Sequence, residues 1–151
     1  MIKRITDKIA QLEQYIGELD QITPPSLHLY LSSLEKKAAC ERYVEKIVEA
    51  ATDLAFMVIK NSNWRLPEDD ADAFAILLEN NIGDTALVKK LQNAKGMRNV
   101  IAHQYSKIDD EIVFLAITDE LGADMREFLK TIRHAFDQNA AKNHPKVLRK
   151  K

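Results

Sequence analysis

Cysteine is almost absent from this 151-residue chain: Cys40 stands alone, so no internal disulfide can form and a reducing, cytoplasmic setting is expected. Chain breakers are nearly as scarce, with 4 Gly and 4 Pro. So few leave little room for the many turns of an all-β chain and favour long helices. No apolar run approaches the roughly 20 residues that cross a bilayer, so no membrane span is expected. The N-terminal residues alternate in charge where a signal peptide has an apolar core, so secretion is not expected either. Also missing are a Gly-rich phosphate loop, a nucleophile elbow and a paired-cysteine motif. Neither sign of charge dominates, since the formal net charge is −1. That balance hides an asymmetry: residues 142–151 hold five Lys/Arg and no acid, which leaves −6 on the rest. An acidic body lacks the broad basic surface of a nucleic-acid-binding protein, so any RNA contact must come from a local basic pocket. The tail reads as a disordered, solubilising terminus.

What is present is a helical pattern. The length suits one domain, set at residues 1–140 and followed by the basic tail 141–151, and 46% hydrophobic residues allow a proper core. Ile2, Ile5, Ile9, Leu12, Ile16 and Leu19 step by three and four along one helix face, and Pro24-Pro25 ends that helix. Ser26 is a plausible cap for a second helix from about Leu27 to Lys60. Its expected core face is Leu31, Leu34, Ala38, Ile47, Ala51, Leu54 and Val58, with a bend near Ser32-Ser33. A short helix from Asp70 uses Phe74, Leu77 and Leu78, and Gly83 suits the left-handed position after it. A fourth helix carries Leu87, Leu91, Ala94 and Met97, and a last one from about Asp110 uses Ile117, Leu121, Met125, Phe128, Ile132 and Phe136. The reading is all-α, an up-and-down bundle of about five helices with no repeat.

Most polar clusters have ordinary explanations. Glu68-Asp69-Asp70 and Asp109-Asp110-Glu111 stand where helices begin and suit the helix dipole; no metal site is expected, because no His or Cys stands at ligand spacing. Glu41, Glu45, Glu49 and Asp53 step by four beside Arg42 and Lys46, which reads as a solvated helix face, with a groove lined by part of the ridge as the alternative. His28, His134 and His144 are isolated.

The segment Arg98-Asn99-Val100-Ile101-Ala102-His103-Gln104-Tyr105 differs, because it gathers unlike and chemically useful groups. Arginine is a permanent cation whose planar fork matches two phosphate oxygens. Histidine ordinarily titrates near pH 6.5 and suits proton transfer. Asn99 can orient either, and Tyr105 adds a hydroxyl or a stacking face. Lys89, Lys90, Lys95 and Lys107 stand close by, with Lys95 and Lys107 the candidate RNA contacts. Five residues separate Arg98 from His103, which on a regular helix is roughly 140° of azimuth. Either the helix ends or distorts between them, or another subunit completes the site; Gly96 would let a partner helix come close. The plain alternative is that Arg98 and His103 cap a helix end and its dipole.

This segment resembles the signature of the HEPN superfamily, and the arrangement is similar to HepT-like toxins of two-component toxin–antitoxin modules. The likeness extends to Ala39-Cys40-Glu41-Arg42 through Glu49 to Ala55, to Leu91 through Met97 and to Ile108-Asp109-Asp110-Glu111, spanning roughly residues 2–135. The resemblance implies a homodimeric bundle with the two motifs facing each other across a cleft at the interface. It implies a metal-independent ribonuclease without a cofactor, with Arg98 and His103 as the essential pair and Asn99 in support. It also implies a nucleotidyltransferase antitoxin as partner, able to place AMP on Tyr105. The alternatives are a non-catalytic module that binds nucleotides or proteins, and a purely structural dimerisation bundle.

Overall fold

The computed structural model describes residues 2–149, with side chains described for 2–137; the basic tail 141–151 therefore lies outside the residues whose side chains are described. Seven α-helices are α1 (Lys3–Ile22), α2 (Leu27–Ser32), α3 (Leu34–Asn61), α4 (Asp70–Glu79), α5 (Thr85–His103), α6 (Asp110–Leu115) and α7 (Leu121–Arg149). A 3-10 turn at Tyr105–Lys107 follows α5, and a π-turn at Ala116–Glu120 joins α6 to α7 with helical dihedrals on both sides. Those last segments make one rod, as the sequence pattern predicts, with a local bulge of the kind a π-turn gives.

α1 buries Ile5, Ile9, Leu12, Ile16 and Leu19 against α3, whereas Ile2 is left exposed. Thr23 closes α1 with its N–H donating to the Leu19 carbonyl, and the prolines prevent another turn. The expected bend near Ser32-Ser33 is a complete break, which makes six rods where five were predicted. Ser33 takes extended dihedrals (φ −123°, ψ 102°), ends α2 and caps α3 by accepting the Lys36 N–H at 3.1 Å. Once the chain is re-registered there, Leu31 and Leu34 point outward, Leu34 being 75% exposed, and Ala38 is exposed too. Further along, Ile47, Ala51, Leu54 and Val58 face the core as expected, joined by Cys40 and Val44.

α3 is the central element, packed against α1, α2, α4 and α5. Side-chain oxygens cap the shorter helices: Asp69 accepts the Asp72 N–H at 2.7 Å and Asp84 accepts the Leu87 N–H at 2.8 Å. The left-handed residue directly after α4 is Asn81 (φ 64°); Gly83 is left-handed too (φ 81°), two residues on, just before the Asp84 cap. Arg65 ties the loop before α4 to that helix with a bidentate bond to Asp72 and two bonds to Glu79. No helix among the described residues is long and apolar enough to cross a membrane.

Candidate functional site

α5 runs without interruption from its Asp84 cap through the whole motif to His103. The helix therefore does not distort between Arg98 and His103, and the two leave it in directions about 140° apart and ~7.5 Å apart along its axis. Gln104 then departs from helical dihedrals (φ −133°, ψ 48°) while its N–H still bonds the Val100 carbonyl at 2.9 Å. That kink turns the chain into the 3-10 turn and brings Tyr105 back over α3.

Arg98 points toward α3. Its Nη2 donates to Glu49 Oε1 at 2.9 Å and its Nη1 to Asn99 Oδ1 at 3.3 Å, while Nε is buried without a partner. The guanidinium thus has one carboxylate to neutralise it and one amide to orient it, beside a small cavity of about 150 Å³ that Thr52, Asp53, Asp70 and Lys95 also line. Lys95, expected as an RNA contact, is paired with Asp70 at 2.6 Å, so its charge is neutralised within the chain. His103 is exposed at the end of α5. Lys107 lines a larger groove of about 430 Å³ between α5 and the α6–α7 rod, where Met97, Ile101, Ile108 and Ile112 form the apolar wall. Gly96 is exposed, and a Cβ built there meets nothing within 4 Å, so among the described residues no helix makes the close approach it permits.

Tyr105 is 55% exposed, yet its hydroxyl donates to Glu41 Oε1 at 3.0 Å. Glu41 is 4% exposed, and burial pushes its carboxyl above the usual range, although the Tyr105 hydrogen bond and Lys37 oppose the shift. The same hydrogen bond to a carboxylate raises the Tyr105 hydroxyl above its ordinary value. Lys37 sits alongside, bonded to Asp110 at 3.0 Å, which raises its ammonium. Tyr30, buried on α2, has a hydroxyl with no partner, and burial with Glu41 nearby raises it strongly. Among the described residues no three His, Cys, Asp or Glu side chains gather as a metal site.

Two acidic residues were missed as site residues. The Glu41/Glu45/Glu49/Asp53 ridge reads as a solvated face from its spacing, but Glu41 and Glu49 hold Tyr105 and Arg98. The available signal was Glu41 itself, a charge set between Cys40 and Val44 on a face that the Ser33 break turns inward.

The ribonuclease HepT-like family matches residues 12–132 of this chain. A tRNA nuclease HepT from Aphanizomenon flos-aquae is 29% identical over 114 residues, covering 76% of this chain and 78% of its own. An mRNA nuclease HepT from Shewanella oneidensis is 22% identical over 129 residues, covering 85% and 96%. The fold matches a solved structure of the tri-AMPylated Shewanella oneidensis HEPN toxin in complex with MNT antitoxin. Its TM-score is 0.82 at 22% identity, over 89% of this chain and 99% of that one. With about four fifths of its length matched, the chain belongs to the ribonuclease HepT-like family.

Proposed function

We propose that this chain is the toxin of a toxin–antitoxin pair, a metal-independent endoribonuclease that cleaves RNA by transesterification. The observation that carries the reading is that the family match encloses an intact Arg98–Tyr105 segment, displayed at the open end of α5 with Arg98 held by Glu49. In the proposed reaction His103 takes the proton of a ribose 2′-hydroxyl or returns one to the departing 5′-oxygen. Arg98 stabilises the negative charge that grows on the phosphoryl oxygens, the contribution that usually dominates such catalysis. One imidazole does not serve both proton transfers at once, so the site is completed by His103 of a second copy in a homodimer. The unbroken α5, which keeps Arg98 and His103 on different faces, supports a shared site, as does the open space around Gly96. Asn99 orients the guanidinium and Lys107 meets the RNA backbone.

The antitoxin is a nucleotidyltransferase that places AMP on Tyr105, which adds bulk and negative charge where substrate phosphate must sit. The Shewanella toxin of matching fold is AMPylated and bound to its MNT antitoxin, which supports this partner class. Purified protein is expected to degrade RNA in EDTA, and Arg98→Ala and His103→Ala to lose that activity. Equal cleavage by all three would mean contaminating nuclease and end the proposal.

A further inference from the structure

Glu41 is the one buried carboxylate among the described residues. Burying a charge is costly unless a cation or several donors compensate it. Here the compensation is thin: Oε1 accepts one bond, from the Tyr105 hydroxyl, and Oε2 is buried with no partner. The nearby ammonium of Lys37 is bonded to Asp110 instead. A glutamine would also anchor the Tyr105 turn, through a weaker neutral bond but without a buried charge, so anchoring alone does not require an acid at this position. The tyrosine is half exposed while the carboxylate beneath is buried, its Oε2 away from water. An outside reactant can therefore approach the phenol from solvent while a base holds its proton from the interior.

We propose that Glu41 is the general base that activates the Tyr105 hydroxyl for transfer of a nucleoside monophosphate. This rests on the reading of Tyr105 as the acceptor. The phenolic proton passes to Glu41 as the phenolic oxygen bonds to the α-phosphorus of a nucleoside triphosphate. The bond from that phosphorus to its bridging oxygen breaks, and pyrophosphate leaves with the electron pair. Glu41 then returns the proton to solvent. Burial, which lifts the Glu41 carboxyl above the usual range, makes it a better base than a surface acid. The groups that face it are Tyr30 from α2, Lys37, Cys40 and Glu45 from α3, Tyr105 from the 3-10 turn and Asp110 from α6. Of these, Lys37 is the one cation, and it is paired with Asp110.

The test compares wild type with Glu41→Gln, which keeps an acceptor for the Tyr105 hydroxyl but cannot take its proton. In one arm both are treated with magnesium-ATP and a minimal nucleotidyltransferase that modifies wild type, followed by mass spectrometry. In the other, N-acetylimidazole acylates tyrosine hydroxyls without any enzyme, with Tyr15 of the same chain as internal reference. Glu41→Gln is expected to slow AMP transfer by about 10²-fold or more, the usual size of a general-base contribution. Acetylation of Tyr105 is expected to slow about tenfold relative to Tyr15. Equal rates in either arm overturn the base role. If no nucleotidyltransferase modifies wild type, it is the acceptor reading that fails, and the acetylation arm still decides for or against Glu41. Should the variant not fold, the wild-type acetylation profile decides alone. The Tyr105 rate must fall as pH drops through the Glu41 titration, and a rate that follows hydroxide up to the phenol range overturns the proposal.

Discussion

Replacing Glu49 with Gln removes the charge that faces Arg98 while leaving the shape of the side chain almost unchanged. The pair is close, 2.9 Å from Nη2 to Oε1, but unevenly covered: the Arg98 side chain is 19% exposed and that of Glu49 42%. Bare attraction at that distance with an effective dielectric near 20 is about 6 kcal/mol before desolvation and side-chain entropy are charged against it. Exposed pairs deliver about 0.2–1 kcal/mol and hydrogen bonds to charged groups about 1.5–3 kcal/mol. Because Glu49 is more than a third exposed, screening places this pair near 1 kcal/mol. With about 2.1 cal/mol/K of unfolding entropy per residue, that is a Tm lower by roughly 3 °C. The effect on catalysis should be larger, since a guanidinium displaced by about 1 Å from the phosphoryl oxygens costs up to ~10²-fold. Urea unfolding of Glu49→Gln, Arg98→Ala and the double variant should give a coupling energy near 1 kcal/mol. RNA cleavage by Glu49→Gln should fall about tenfold or more. Zero coupling with unchanged cleavage would refute the idea that Glu49 positions Arg98. Faster cleavage would refute it differently, by showing that Glu49 restrains the arginine.

Tyr30→Phe removes a buried hydroxyl that has no partner and keeps the ring that packs on Phe114. The variant should be more stable by about 1 kcal/mol, the lower end of the cost of a buried unpaired polar group. A urea midpoint that falls instead would mean the hydroxyl has a partner. The Arg65 clamp holds the Asp72 carboxyl down to about 2 and lowers that of Glu79 as well. Carboxyls depressed by folding stabilise above their ordinary range near pH 4 and lose that contribution as pH falls through the lowered value. The loop around Trp64, the sole tryptophan, should therefore loosen between about pH 4 and pH 2. Its fluorescence should shift over that window in wild type, and the same signal at neutral pH should appear in Arg65→Met. A flat titration would show that the clamp does not order the loop.

Periodicity carried most of the fold, because a stripe at steps of three and four has one stable use in a chain with so few breakers. The stripes of α1, α5 and α7 are buried largely as their spacing predicts. It failed at Ser33, where two adjacent serines look like tolerable helix residues. Their hydroxyls compete for backbone N–H groups, and Ser33 won the bond to Lys36 that starts a new helix. The positions next to that point were misassigned, Leu31, Leu34 and Ala38 to the core and Glu41 to solvent, whereas Ile47, Ala51, Leu54 and Val58 are buried as their spacing predicts. Arg98, His103 and Tyr105 stood out by chemistry, and no structure was needed to select them. Their carboxylate partners lie 49 and 64 residues away, and only the packing of α3 against α5 brings them near. The Lys95 pair was out of reach for the same reason: its Asp70 partner is on α4.

The spacing of the motif follows from this packing. As the chain advances from Arg98 to Tyr105, its partners on α3 step back from Glu49 to Glu41, so the two segments run antiparallel. Eight residues of α3 rise about 12 Å, and five residues of α5 plus the kink at Gln104 cover a similar span. Had α5 continued as a helix, Tyr105 would stand about 20° from the Arg98 direction after two more turns, ~10.5 Å up the axis. The chain leaves the helix at Gln104 instead, and the turn that follows carries the tyrosine hydroxyl to Glu41. His103 is the last residue before that kink, and its azimuth turns it away from α3 toward solvent. Arginine and tyrosine are thus each fixed to a carboxylate of their own chain, while the histidine is presented outward. A second copy related by a two-fold axis across that open side would meet the histidine first. That is the arrangement the proposed two-histidine cleavage requires, and it makes loss of dimerisation the route by which a substitution at exposed Gly96 would abolish cleavage with Arg98, Asn99 and Glu49 undisturbed.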